Sequence, residues 1–371
     1  MSEITNIKRS HNENGPSDAG SRAGGCNLNN GSVCFVHGKL SLTSNHYLPA
    51  TLLLHTVAQQ KTHKGHDYAL KSWFEYAAVW LLLKGLGILP KPVARSFATG
   101  VARMLFALSP KLRKTAEINL QIAFPDWSES RRNELIHAMV QNLACMAVEF
   151  ARFPKYSKEN IEQLVVLDGN ENFLTGQRQG KGVLFLTGHI GAWELSSFAH
   201  ASYGFPLHYM ARPLDNARID ALVNGYRCLS GNRPIFKNES ARVMLKVLKE
   251  SGTVGILADQ NTMPEEAVFV DFFGKQASTS TGIARVALHT DAAVVPGYAI
   301  WDESLQKYRL RFEPPVELIR TGDTERDVLE NTQKFTKIIE DIIRKYPDQW
   351  VWIHGRWNTR PQGEPPLYDF S

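Results

Sequence analysis

The sequence predicts an α/β fold in which a mostly parallel central sheet is flanked by helices. Two observations support this prediction. Short apolar runs of strand character alternate with helical runs over the second half of the 371-residue chain, which is typical of parallel strands buried on both faces. Three of these runs end directly in polar residues, and the carboxyl ends of parallel strands are where such folds bind ligands.

The predicted strands are short and rich in apolar or β-branched residues. They cover residues 182–187, 207–211, 253–258, 267–273, 292–301 and 307–313. Helical spacing of apolar residues predicts helices between several of these strands, over residues 240–250, 280–290 and 325–346. Residues 115–153 are also predicted to be helical, because their apolar residues recur at helical spacing before Pro154.

The first 68 residues are rich in Asn, Ser, Gly and His, with one short apolar stretch. They carry too little apolar surface to offset the entropy lost on ordering, so we expect residues 1–68 to be a mostly disordered tail. The first twenty residues lack the apolar core of a signal peptide, and we expect the bulk of the chain to stay on the cytoplasmic side. We expect the folded domain over residues 69–362 and a C-terminal tail at 363–371.

An apolar and basic segment after the first tail predicts a helical hairpin that contacts a membrane. Residues 73–90 are mostly apolar, but they are short for a membrane span and interrupted by two glycines. From Lys84 to Ala116 every charged residue is basic, which suits the surface of an anionic membrane. The alternatives are one membrane span or an amphipathic helix docked on the core. We assign residues 69–115 to the membrane-contacting helices and 116–362 to the α/β core.

Several classes of protein are disfavoured by the motifs that the sequence lacks. The four cysteines fit no zinc-binding spacing, and the chain has no Walker A loop, dinucleotide-binding glycine motif, serine-hydrolase elbow or His-Glu-x-x-His motif. No basic patch interleaved with aromatic residues indicates nucleic-acid binding, and the net charge is only +5. We therefore predict no metal, no cofactor and no nucleic-acid partner.

Polar residues with catalytic potential follow three of the predicted strands. Gly188 and His189 follow the strand at 182–187, Arg212 follows the next, and Asp259 follows the one at 253–258. A single polar strand end means little, but three at the same edge of a sheet predict a convergent site. Because no Ser or Cys nucleophile stands beside the histidine, the site is predicted to activate a hydroxyl of the substrate.

His189 and Glu194 are predicted to act as a base and its orienting partner. In a regular helix, a separation of five residues places two side chains roughly 140° apart, so the pair meets only if His189 precedes the helix and Glu194 lies in its first turn. The glutamate then accepts a hydrogen bond from one ring nitrogen and leaves the other as the base. Gly188 permits the turn after the strand, and Gly191 permits close approach of a second backbone or a ligand.

Six sequence blocks, in order, resemble the late acyltransferases of lipid A biosynthesis, the lauroyl and myristoyl transferases of the lysophospholipid acyltransferase superfamily. The resemblance covers residues 74–362. Its blocks are "LRKTAEINLQIAFPDWS", "GKGVLFLTGHIGAWE", "MARPLDN", "ILADQN", "VDFFGKQASTSTGIARVALHTDAAVVPG" and "YPDQWVWIHGRWNTRP". The chain departs from the family pattern at Ala192, where Asn is frequent, and at Ala258, where Pro is frequent.

The resemblance implies a glycerolipid acyltransferase-like fold and an O-acyltransferase without a cofactor. A fatty acyl chain would pass from an acyl thioester, on acyl carrier protein or CoA, to a hydroxyl of a membrane glycolipid, most simply a lipid A precursor. The implied location is the cytoplasmic face of the inner membrane, by peripheral contact or one N-terminal anchor. The implied catalytic residues are His189 and Glu194. The implied substrate-binding residues are Arg212, Asp259 and Gly274, with backbone N–H groups near Gly188 and Gly191 as oxyanion donors.

Two other functions are compatible with the sequence. The acceptor is another phospho- or amino-lipid in the first alternative. In the second, the chain is a catalytically silent scaffold on the membrane surface. A scaffold has no need of His189, Glu194 and Arg212, so their presence favours the enzyme.

Overall fold

The structure, a computed structural model, describes residues 65–236 and 240–370. Its helices are α1 Gly65–Ile88, α2 Lys91–Ala107, α3 Pro110–Ala123, α4 Glu129–Ala151, α5 Asn170–Arg178, α6 Trp193–Ser202, α7 Ala217–Arg227, α8 Ser240–Lys249, α9 Gly282–Thr290 and α10 Thr324–Lys345. Its strands are β1 Val165–Asp168, β2 Val183–Thr187, β3 Leu207–Ala211, β4 Arg233–Phe236, β5 Thr253–Leu257, β6 Ala267–Phe272, β7 Lys275–Ser280, β8 Ala293–Asp302 and β9 Lys307–Phe312.

Seven of the described strands form a central sheet in the order β1-β9-β8-β2-β5-β3-β4. Neighbouring strands from β8 to β4 are parallel, β8 and β9 are antiparallel, and β1 is parallel to β9. The prediction of an α/β fold with a mostly parallel sheet is therefore confirmed. The strand predicted at 267–273 lies outside this sheet, since β6 pairs with β7 in a separate antiparallel hairpin.

Apolar side chains pack on both faces of the central sheet. Along β2, Leu184 and Leu186 belong to one buried cluster, whereas Val183 and Phe185 belong to another. Successive side chains of a strand point to opposite faces, so the two clusters cover the two sides of the sheet. This double burial explains why β2 is a continuous apolar run rather than an alternating one.

The carboxyl ends of β2 and β5 lie side by side and set the position of the candidate site. Their parallel pairing runs from Val183↔Thr253 to Thr187↔Leu257. The residues that follow each strand are therefore neighbours across the sheet edge. On the other side of β5, the pairing with β3 reaches only Tyr209↔Gly255, two residues short of the end of each strand.

The first two helices carry large apolar side chains on their outer surfaces. On α1, Phe74, Leu81 and Ile88 are 74%, 63% and 75% exposed, while Leu83 and Leu86 are buried. Within the described residues, no helix combines the length and apolarity needed to cross a membrane. Helix α1 begins at Gly65, inside the range that we assigned to the N-terminal tail, and residues 1–64 of that prediction lie outside the described residues.

Two basic side chains that the sequence placed in the all-basic stretch turn inward instead. The Glu149 carboxylate on α4 is fully buried and pairs with Lys91 at 2.9 Å and with Arg95 at 2.8 Å. The hydroxyl of Tyr156 donates to the same carboxylate at 2.6 Å. A buried carboxylate needs such partners, and they fasten the start of α2 to α4. These two cations therefore serve the fold rather than a membrane surface.

Candidate active site

His189 lies on the turn between β2 and α6, as the sequence predicts. The strand ends at Thr187, the helix begins at Trp193, and Glu194 lies in the first helical turn. The ring of Trp193 packs against the imidazole edge-on, with centroids 5.2 Å apart. The His189 side chain keeps 20% of its surface exposed, so the imidazole is accessible from solvent.

The orienting partner of His189 in the structure is Asp259. Its Oδ1 is 2.8 Å from His189 Nδ1, and its Oδ2 accepts a hydrogen bond from the backbone N–H of His189 at 2.7 Å. The indole of Trp350 donates to the same Oδ2 at 2.7 Å. Asp259 is only 2% exposed. A buried, ionised carboxylate favours the tautomer in which Nδ1–H donates to it, which leaves Nε2 of His189 as the free base.

The pKa values of this pair have opposite shifts with a shared cause. Burial acts to raise the pKa of Asp259. The positive charge of His189, its hydrogen bonds to Asp259 and the hydrogen bond from the Trp350 indole outweigh burial and lower this pKa to about 2. Burial acts to lower the pKa of His189, but the charge of Asp259 and its hydrogen bond outweigh burial and raise it. Asp259 is therefore ionised at neutral pH and stabilises the cationic form of His189.

The predicted hydrogen bond between His189 and Glu194 is wrong in this structure. Glu194 instead receives a two-point contact from Arg227 on α7: Arg227 Nε donates to Oε2 at 2.9 Å and Nη2 donates to Oε1. The reason is geometric, because α7 places a guanidinium beside the first turn of α6 and Asp259 already occupies Nδ1. Glu194 still acts on His189 through its charge, which raises the pKa of His189, whereas the charge of Arg227 lowers it.

The backbone amides of the turn are engaged inside the fold. Four consecutive N–H groups donate to internal acceptors: His189 to Asp259 Oδ2, Ile190 to Gly188 O at 2.8 Å, Gly191 to Gln349 O at 2.6 Å, and Ala192 to Ala299 O at 2.8 Å. This corrects the prediction that Gly191 offers an oxyanion donor, because its N–H already has a partner. For the N–H of Gly188, a role as donor stays a prediction.

The two glycines of the turn are explained by close contacts. Gly191 has a φ of +59°, and a Cβ built there lies 2.0 Å from Ala299 O. The prediction that Gly191 permits close approach of a second backbone is confirmed. A Cβ on Gly188 would lie 3.0 Å from Cγ of Asp259, so the missing side chain gives the carboxylate room beside the strand end.

Arg212 lies at the end of a strand of the central sheet, and Gly274 lies in the turn of the separate hairpin. Arg212 is exposed and directly follows β3, at the same sheet edge as His189. Gly274 lies in the β6–β7 turn with a φ of +76°, and its N–H donates to Asp271 Oδ1 at 3.1 Å. That turn accounts for the glycine without a substrate. Substrate binding by Arg212, Asp259 or Gly274 stays a prediction.

The segment after Asp259 and the segment that follows α10, residues 346–362, contribute residues whose roles the sequence did not assign. Nε2 of Gln260 is 3.3 Å from Nε2 of His189. The backbone N–H of Asn261 donates to Nε2 of His354 at 3.0 Å, and burial lowers the pKa of that histidine. Only proximity in the fold reveals these contacts, although Gln260 and Asn261 do stand beside Asp259 in the sequence.

In the part of the chain that the structure describes, no group of three or more His, Cys, Asp or Glu side chains is arranged to hold a metal ion. The contacts around His189 define a candidate site that consists of His189, Asp259, Trp350, the Glu194–Arg227 pair and Gln260. A base with a free nitrogen, held by a buried carboxylate and open to solvent, is suited to removing a proton from a substrate hydroxyl.

Several known proteins are similar to this chain over most of its length. Residues 60–359 match the family model described as bacterial lipid A biosynthesis acyltransferase. The chain is 26% identical over 300 residues to a lipid A biosynthesis lauroyltransferase of Escherichia coli, covering 80% of this chain and 94% of that protein. A lipid A biosynthesis myristoyltransferase of the same organism is also 26% identical, with 79% and 90% covered. A lipid A biosynthesis acyltransferase of Haemophilus influenzae is 27% identical, with 70% and 79% covered.

Proposed function

Since this chain belongs to the bacterial lipid A biosynthesis acyltransferase family and is an acyltransferase, we propose that it transfers a fatty acyl chain from an acyl thioester to a hydroxyl of a lipid A precursor. The observation that carries the proposal is the pairing of His189 with the buried Asp259 at the open edge of the sheet. This pairing leaves Nε2 of His189, whose side chain is 20% exposed, as the base that takes the proton of an acceptor hydroxyl.

The proposed reaction is a direct transfer with no covalent enzyme intermediate. His189 Nε2 takes the proton of the acceptor hydroxyl as its oxygen forms a bond to the thioester carbon. The tetrahedral intermediate then collapses, the carbon–sulfur bond breaks, and the leaving thiolate takes the proton from His189. Asp259 holds the ring in the required tautomer and stabilises the imidazolium formed between the two steps.

The roles of the two carboxylates differ from the sequence-based assignment. Asp259 takes the positioning role, because it contacts Nδ1 and is buried. Glu194 neutralises Arg227, which otherwise acts to lower the pKa of His189. Arg212 is exposed at the end of β3, and we propose that its guanidinium holds a phosphate of the acceptor.

The outer surface of α1 and α2 is proposed to rest on the cytoplasmic face of the inner membrane as the predicted hairpin. Phe74, Leu81 and Ile88 are seven residues apart and share one side of α1, all mostly exposed. On α2, Phe97 is 53% exposed and Leu108, just after the helix, is 74% exposed. An acceptor lipid and its enzyme meet most readily when apolar side chains enter the membrane interface.

The test is an assay of the purified full chain with a lipid A precursor and a panel of acyl donors. The panel contains acyl chains of several lengths on acyl carrier protein and on CoA. We expect the product to gain the mass of one acyl chain with at least one donor. No transfer from any donor would contradict the proposal, and transfer only to another phospho- or amino-lipid would replace the acceptor while keeping the reaction.

A further inference from the structure

Gln260 is the side chain that meets the free nitrogen of the proposed base. Its Nε2 lies 3.3 Å from His189 Nε2, and the residue is exposed. With Nδ1–H directed at Asp259, Nε2 of His189 carries a lone pair, so the amide of Gln260 donates to it. The resting base is therefore capped by a neutral hydrogen-bond donor.

The residues on either side of Gln260 are hydrogen-bonded inside the fold, whereas Gln260 itself is exposed. Asp259 is fixed by His189 and Trp350. Asn261 is fixed by its N–H bond to His354 and by reciprocal 3.0 Å bonds with Thr359. A hydrogen-bond donor held beside the reacting nitrogen can stabilise the charge that develops there.

The proposed reaction needs a hydrogen-bond donor for the oxyanion, and the backbone N–H groups of residues 189–192 are not free to serve. Attack on the thioester turns its carbonyl oxygen into an oxyanion, which needs hydrogen-bond donors. The N–H groups of those four residues already donate to acceptors inside the fold. The backbone N–H of Asn261 donates to Nε2 of His354, and the side-chain amide of Asn261 donates to the hydroxyl of Thr359. The Gln260 amide, by contrast, is bonded to the very nitrogen that the acceptor hydroxyl must reach.

We propose that the carboxamide of Gln260 is a catalytic hydrogen-bond donor to the oxyanion, an inference that rests on the acyl transfer proposed above. The acceptor hydroxyl displaces the amide from His189 Nε2 and gives its proton to that nitrogen. Its oxygen bonds the thioester carbon, and the former carbonyl oxygen, attached to the same carbon, becomes negative beside the displaced amide. Gln260 donates to that oxygen until the carbon–sulfur bond breaks, and the thiolate leaves with the proton from His189.

The test compares the steady-state kinetics of Gln260→Ala and wild type in acyl transfer from a lauroyl thioester, carried by acyl carrier protein or by CoA, to a lipid A precursor. We expect kcat to fall about 10²–10³-fold, because one oxyanion donor is lost. KM for both substrates should stay within about threefold, since the contact forms only in the transition state. Gln260→Glu, which has the same shape but no donor, should lose at least as much activity.

Two controls separate this role from binding and folding. The first control is Gln179→Ala, which should retain wild-type kcat. Gln179 is exposed and lies directly after α5, near the end of β2 that is far from His189. A dodecyl thioether of the same carrier has no carbonyl, and it should bind Gln260→Ala and wild type with equal Kd.

A kcat for Gln260→Ala within about threefold of wild type, or above it, would overturn the inference by showing that the amide only caps the resting base. A loss confined to KM, or to thioether affinity, would overturn it in favour of substrate binding. Absence of transfer by the wild-type chain would contradict the proposed function itself, and the inference with it.

Discussion

At the scale of single residues, the site depends on how charge is shared around His189. Asp259 and Glu194 both raise the pKa of His189, while burial and Arg227 lower it. Asp259 acts through a direct hydrogen bond, whereas Glu194 acts from a distance because Arg227 occupies its carboxylate. The two acidic side chains should therefore respond differently to removal of their charge.

Replacing Asp259 by Asn is expected to lower kcat about 10²–10⁴-fold, because the amide no longer enforces the tautomer with a free Nε2. The pH dependence should also change. The base works unprotonated, so kcat/KM rises as pH increases through the pKa of His189. Loss of the Asp259 charge lowers that pKa, and the acid limb of the pH–rate profile should move to lower pH. An unshifted limb with full activity would refute the role of Asp259.

Glu194 is expected to act through Arg227. Glu194→Gln should reduce activity, because the unpaired guanidinium of Arg227 lowers the pKa of His189 and is left partly buried. The double variant Glu194→Gln/Arg227→Gln removes that charge as well and should recover about tenfold of the lost rate. If the double variant is as inactive as the single one, Glu194 acts directly on the base or the substrate.

At the scale of elements, the β2–α6 turn is held by contacts that only glycine permits. Gly191 has a positive φ and lies against the backbone of β8, where Ala299 accepts the N–H of Ala192. The same turn is also hydrogen-bonded to the segment after α10, since Val351 N–H donates to His189 O at 3.3 Å. The position of the base thus depends on packing between elements as well as on the turn itself.

Gly191→Ala is expected to reduce the free energy of unfolding by more than about 2 kcal/mol, because the φ disfavours Ala and the Cβ meets Ala299 O. The matched control is Gly100→Ala, inside α2, where a Cβ meets nothing within 4 Å. That change should stabilise the protein by about 0.5–1 kcal/mol. Equal effects in chemical denaturation would contradict the strain assigned to the turn.

The sequence predicted the strands of the sheet interior well and the edge strands and the polar strand of the hairpin poorly. β2, β3, β5, β8 and β9 were expected, because buried strands need continuous apolar runs. β1 and β4 were not, since each has only four residues and lies at a sheet edge. β7 was not, because most of its residues are polar. The partner of His189 was also misassigned, because Asp259 is 70 residues away and meets it only through the adjacency of β2 and β5.

At the scale of the whole molecule, the proposed membrane-contacting surface combines exposed apolar side chains with basic side chains that are exposed to solvent. Lys91 and Arg95 are engaged with Glu149, whereas Lys84 and Arg103 are exposed. Membrane binding should therefore depend chiefly on the apolar side chains of α1 and α2, with a smaller contribution from charge.

The double variant Phe74→Ser/Leu81→Ser is expected to reduce binding to phosphatidylglycerol-containing vesicles at least about tenfold, because two largely exposed apolar side chains no longer enter the interface. The control is Leu305→Ser/Leu329→Ser, two side chains 43% and 42% exposed elsewhere on the surface. Co-sedimentation measures both. Equal loss in the two variants would exclude α1 as the membrane-contacting element.

The central claim is that His189 performs acyl transfer to a lipid A precursor as a general base. The most direct measurement is the mass of the precursor after incubation with an acyl thioester and either wild-type protein or His189→Ala, with folding of the variant verified by its circular dichroism spectrum and Tm. We predict that wild type adds one acyl chain and that the folded variant loses at least about 10²-fold of the rate. A folded His189→Ala variant that transfers the chain at the wild-type rate would contradict the claim.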